Sequence, residues 1–185
     1  MAFVQPSFSP PRCTSEPLPP YAYTPGRFPH PVRDPQGHSF GRPPPSVSPT
    51  ELADWRTSRV YRVGVDLFNH GYYWEAHEAW EALWNALGRR GVEADFVKGL
   101  IKLAAAGVKA REGRAEGVAR HARRAEALFR ATGGRAAGRL ACLRCDGAMT
   151  NLSAAAYEIA QQPQSVLNDD AAPVVRVFPF VLVFV

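Results

Sequence analysis

Cysteine is scarce in this chain: Cys13, Cys142 and Cys145 are the only three in 185 residues. Three thiols do not make a disulfide framework, and they suit a reducing, cytoplasmic setting. The opening Met1-Ala2-Phe3-Val4 runs into Pro6 and Pro10 without a basic flank or an apolar run, so no secretory signal is expected. Nowhere do apolar residues approach the run of about 20 that a membrane-spanning helix needs. The apolar stretch at 174–185 is short and is interrupted by Arg176 and Pro179. Period-two alternation is missing ahead of the terminal valines, which excludes a sheet-built fold, and no fixed-period repeat is present. An all-α fold remains.

What the chain has in excess is proline. Fourteen of its seventeen prolines fall in residues 1–50, which excludes regular helix or central strand there and predicts an extended arm. Tyr21, Tyr23, Phe28 and Phe40 are interspersed along this arm with His30, Asp34 and His38. A solvated tail has little use for such aromatics, so docking of residues 18–42 through Tyr21, Tyr23 and Phe28 is expected, with residues 1–16 disordered.

Charge is uneven as well. Residues 98–144 hold twelve Lys/Arg against three Asp/Glu, although the whole chain is only +5. Such a basic segment suits an acidic partner or nucleic acid in principle. The arginine face of Arg120, Arg123, Arg124 and Arg130 carries no aromatic to stack a base, however, so nucleic acid is disfavoured. Cys142-Leu-Arg-Cys145 is a lone CxxC with neither further ligands at suitable spacing nor a preceding strand, and is read as incidental.

Helix signals organise the rest. Ser48-Pro49-Thr50-Glu51 is a capping box with proline at the first helical position. Helices follow at about 58–69, from Gly71 to 87, 92–112, 114–131 and 151–162. Gly133-Gly134 is expected to stop the fifth, and 135–148 is ambiguous, with a short helix around 139–143. The expected architecture is a small single-domain helical bundle of about five helices over residues 48–162. A proline-rich arm (1–47) precedes it, and a tail (163–185) lies outside the core.

The organising stretch is 67–84. At 100° per residue Ala76, Ala79, Trp80, Leu83 and Leu87 share the apolar face, Glu75, Glu78 and Asn85 lie opposite, and His77, Glu81 and Trp84 sit on the border. His77 and Glu81, four apart, meet on one face. Three readings stay open: a histidine hydrogen-bonded to Glu81 for structure, a small-ligand site, and a metal site. A helical His and Glu at this spacing can hold two positions of a metal shell with Glu78 as base, and His30, Asp34 or His38 would have to complete it. If Lys98 and Lys102 face these carboxylates, they neutralise them and repel a cation. Metal and other cofactors are therefore not expected, and a small anion is favoured.

Leu67-Phe68-Asn69-His70-Gly71, then Glu75-Ala76-His77-Glu78 with Glu81 and Trp84, then Gly99-Leu100-Ile101 ahead of Ala104-Ala105-Ala106, resembles a known bacterial family. It is the one catalogued as domain of unknown function 309, and the likeness covers about residues 55–131. The resemblance implies a compact all-helical bundle of uncharacterised activity. Family members often carry glutamine where this chain has Lys98 and Lys102, while the proline arm resembles an extension found in a subset of them.

The resulting expectation is a cytoplasmic binding or interaction module with a polar site of His77, Glu78, Glu81 and Lys102. Its partner would be a small, anionic molecule or a protein, with homo-oligomerisation left open. The alternative is an enzyme with His77 or Glu78 as general acid/base and Lys102 stabilising negative charge, in the manner of a metal-dependent hydrolase.

Overall fold

The computed structural model describes residues 9–135, 143–146, 151–163 and 172–184. Six helices follow in order: α1 (Pro49–Ala53), α2 (Arg59–Asn69), α3 (Tyr73–Ala86), α4 (Val92–Arg111), α5 (Ala115–Arg135) and α6 (Leu152–Gln161). The strands β1 (Leu143–Asp146) and β2 (Val181–Phe184) pair antiparallel, with Leu143 opposite Phe184. The all-helical bundle is thus present, with six helices instead of about five and one two-stranded ribbon added. Among the described residues, no helix is long and apolar enough to cross a membrane.

Local chemistry places the helix ends. Ser48 and Glu51 close the capping box at α1, each reaching the other's backbone. Ser58 accepts from Tyr61 N at the start of α2, and Asn151 from Ala154 N at the start of α6. Between α2 and α3 the chain reverses at Gly71, whose φ of 92° is open to glycine at little cost. The helices then approach closely where side chains are small. A Cβ on Gly64 would meet the Trp80 indole nitrogen at 2.2 Å, and one on Gly99 would meet the Phe129 ring at 2.5 Å. Gly99 therefore lets α5 lie against α4, as its place on a small-residue strip predicts.

Three expectations need correction. First, α5 runs through Gly133 and Gly134 to Arg135. Glycine costs a helix about 1 kcal/mol without forbidding it. Buried Thr132 bonds back to the Leu128 and Phe129 carbonyls within this last stretch. Second, the helix expected around 139–143 is not borne out at its described end, since Leu143 begins a strand; residues 136–142 lie outside the described residues. Third, the tail is not separate from the core. Val177, Phe178, Phe180 and Leu182 are buried among the helices. Phe178 stacks on Phe68 and Phe180 at 5.6 Å and meets Tyr73 edge-on at 5.2 Å.

Polar contacts fix the tail in register. The Tyr73 hydroxyl accepts from Val177 N at 2.8 Å; burial pushes its phenol up to about 12. Asn69 acts as a substitute strand: its amide donates to Leu182 O at 2.8 Å and accepts from Leu182 N at 2.7 Å. Replacing Asn69 by Ala strands both buried groups, each at about 1–3 kcal/mol. We expect Asn69→Ala to cost about 2–4 kcal/mol in urea unfolding and to loosen the tail toward proteases. A loss within experimental error would mean that the tail is held by its apolar side chains alone.

Candidate functional site

Three of the four expected site residues lie together on α3. One nitrogen of His77 and one oxygen each of Glu78 and Glu81 fall within 4.8 Å of one another. The His77–Glu81 hydrogen bond is not formed among the described residues; the nearer carboxylate is Glu78, at 3.5 Å from Nδ1. No hydrogen bond joins the two, and His77 Nδ1 is buried without another partner among the described residues.

The lysines do not pair with these carboxylates among the described residues. Lys98 lies over the Trp84 ring at 5.2 Å, and the Arg89 guanidinium is 5.3 Å from the same ring. Lys102 on α4 lies near His121 of α5 and depresses its pKa. Among the described residues neither lysine forms an ion pair with Glu78 or Glu81, so the charge argument against a cation loses its support there. Nor are the three supplementary ligands brought to His77. His30 packs edge-on to Trp74 at 5.4 Å, Asp34 caps Gln36 N, and His38 pairs with Glu75.

The other face of α3 carries a second arrangement, and Glu75 is its centre. The helical wheel places Glu75 opposite the core, yet it is only 7% exposed, because the proline arm covers that side. Its Oε1 accepts from Tyr23 N at 2.9 Å and meets His38 Nε2 at 3.1 Å, while Oε2 has no partner among the described residues. On α2 the buried Asp66 takes the same part. It accepts from Cys13 N, Thr14 N and Thr14 Oγ1 at 2.6–2.9 Å, with Arg12 at 3.6 Å. Residues 9–16, expected to be disordered, are thereby pinned. Further along, the Tyr72 hydroxyl donates to Pro19 O, and Ala22 N donates to Pro173 O.

The arm is not sealed against the bundle along its whole length. A groove of about 720 Å³ separates it from α2 and α3, a size suited to a small organic molecule. Val60, Val63, Leu67, Trp74, Glu78 and Ala79 form much of its helical wall. Leu18, Val32, His38 and the run Pro43-Pro44-Pro45 face them from the arm. Glu78 thus belongs both to this wall and to the His77 cluster.

Residues 61–121 match the family model described as Domain of unknown function (DUF309). Over this third of the chain the sequence is similar to that family. No curated protein and no solved structure matches the chain. The DUF309 segment spans α2 from Tyr61 through α4 and into α5 as far as His121, so it includes His77, Glu78, Glu81 and Lys102. The arm and tail lie outside it. Apart from Arg59 and Val60, the helical wall of the groove lies within the matched residues, and its outer wall belongs to the arm.

Sequence reasoning missed Glu75, Asp66 and His121. A signal for the first two was present, since an arm that docks with its N–H groups needs acceptors on the bundle. The half-buried His121 is pushed down to about 4, first by burial and then by the positive charges of Lys102, Arg120 and Lys109, with His77 contributing least. The ordinary histidine value is about 6.5, so the unfolded chain binds the proton more readily. The stabilising effect of neutral His121 is therefore complete above about pH 6.5 and is lost as pH falls toward 4. We expect His121→Gln to flatten the decline in melting temperature between pH 6.5 and 4. Parallel profiles for the two proteins would show that this imidazole does not titrate differently on unfolding.

Proposed function

We propose that the protein is a small-molecule-binding module of the bacterial cytoplasm, with its ligand held between the proline arm and the α2–α3 face of the DUF309 segment. The observation that carries this reading is the groove itself, where one continuous wall combines apolar surface, the Trp74 ring and the Glu78 carboxylate. Small-ligand sites commonly have this make-up, with an apolar lining and a few placed polar groups. A reducing compartment fits the half-buried Cys13, whose thiol is pushed up to about 11 by burial and by Asp66 and is unreactive at neutral pH. The anionic preference read from the lysines is set aside, because Lys98 and Lys102 serve Trp84 and the His121 region.

A second reading is favoured by one specific observation, the gathering of the His77, Glu78 and Glu81 donor atoms within 4.8 Å. On that reading the protein is an enzyme with His77 or Glu78 as general acid/base, or, with a divalent cation held by His77 and Glu81, with Glu78 as the base. Lys102 would stabilise negative charge on the substrate from α4. Both readings are tested on the full chain purified without a histidine tag. Native mass spectrometry should show an organic adduct that is lost when Val63→Trp fills the groove. Elemental analysis decides the second reading: stoichiometric zinc, iron or manganese, lost in His77→Ala, would replace the binding module with the metalloenzyme.

A further inference from the structure

The charges along the groove are not balanced, and the imbalance points to the kind of ligand. Arg12 is spent on Asp66, and Arg59 on Glu16. Asp66 is saturated by the donors of Cys13 and Thr14. What remains on the helical wall is Glu78, half-exposed and met among the described residues only by His77 at 3.5 Å, with Glu75 buried nearby and Trp74 on the same wall. Trp74 and Glu78 are four apart on α3, so the indole and the carboxylate present to the groove from one face. On the arm side the exposed Arg42 is the remaining cation, with no ion pair among the described residues.

Glu75 adds charge from behind the wall. Its partner His38 is almost fully buried, and its Nδ1 lies 2.9 Å from Ser39 Oγ. The ring thus bridges the two groups, with Nε2 3.1 Å from Glu75 Oε1 and Nδ1 hydrogen-bonded to the Ser39 hydroxyl. Glu75 Oε1 is met by His38 and Tyr23 N, while its Oε2 is buried without a donor among the described residues. A carboxylate so placed makes the adjoining groove attractive to positive charge, since little water intervenes to screen it.

We propose that the groove recognises an amphipathic organic cation, an ammonium or amidinium head on an apolar body. The head rests against the Trp74 ring and pairs with Glu78, in the field of Glu75. Cations are held in this way by an aromatic face backed by carboxylates. The body lies along Val60, Val63 and Leu67, facing the three consecutive prolines of the arm. This assignment rests on the small-molecule reading and goes further by naming the chemical class. It also explains the arm: without it Glu75 would be a hydrated surface carboxylate with its charge screened.

Three probes of one shape test the charge: benzamidine, benzamide and benzoate, each titrated into the full chain and followed by the indole N–H resonance of Trp74. Benzamidine should shift that resonance saturably, and the neutral and anionic analogues should bind at least tenfold more weakly. Glu78→Gln, a half-exposed position that keeps the fold, should weaken benzamidine at least tenfold, and Glu116→Gln on the far helix should not. Equal binding of benzamide, or tighter binding of benzoate, would overturn the cation proposal and leave the binding module standing. If no probe binds although native mass spectrometry shows an adduct, the proposal alone is overturned. If there is neither probe binding nor an adduct, the groove reading falls with it.

Discussion

Asp66 and Glu75 are carboxylates buried on neighbouring helices, and the protein outside its bundle is arranged around giving them donors. A charged group taken out of water costs several kcal/mol unless hydrogen bonds replace its hydration. The bundle itself supplies few. The arm supplies the backbone N–H groups of Cys13, Thr14 and Tyr23, together with the Thr14 hydroxyl, the Arg12 guanidinium and the His38 imidazole. Proline suits this duty, because a stiff segment loses little chain entropy when fixed and its few N–H groups are spent where acceptors wait. The aromatics of the arm have a secondary part. Tyr21 stacks on Phe28 within the arm, while Tyr23 meets Trp74 of the bundle.

The tail closes the opposite side by similar means. Its aromatics complete the cluster of Phe68 and Tyr73, but apolar burial alone does not choose a register. Asn69 and Tyr73 do, by reading the backbone at Leu182 and Val177. Both belong to the α2–α3 elbow, so the reversal at Gly71 sets the tail, the arm and the two faces of α3 together. A Cβ at Gly71 would also press on the Val175 carbonyl at 2.8 Å. The elbow is the hinge of the whole arrangement.

The two faces of α3 do different chemistry because different segments cover them. On the His77 face, burial first and then the positive charges of Lys102, Arg120 and Lys109 push the His121 pKa down, and the donor atoms of His77, Glu78 and Glu81 lie within 4.8 Å of one another. On the Glu75 face, the arm excludes water over one carboxylate and leaves another half-open beside an indole. Glu78 stands where the two meet, which makes it the residue on which the binding and metal readings differ most.

Much of the bundle was legible in the sequence because its signals are local. Ser48 with Glu51, the glycine after Asn69-His70, and the apolar stripe through Trp80 and Leu83 act within a few residues of themselves, and the helices begin and end near where they say, except that α5 runs through its glycines. The border positions of His77, Glu81 and Trp84 follow from the same geometry, since a helical wheel needs only the rise and turn of one helix. Tertiary structure alone decided which covering each face received. Glu75 reads as solvent-facing on its own helix and is buried because a segment some fifty residues earlier in sequence lies over it. Lys98 and Lys102 read as partners of the acidic face, yet Lys98 lies over the Trp84 ring and Lys102 acts on His121. The valine-rich tail has no period to betray its place, and joins the core by packing Phe178 and Phe180 against Phe68, with Phe178 also on Tyr73. Long-range contacts of this kind leave no mark in any window of sequence, because each depends on a partner whose distance along the chain is arbitrary.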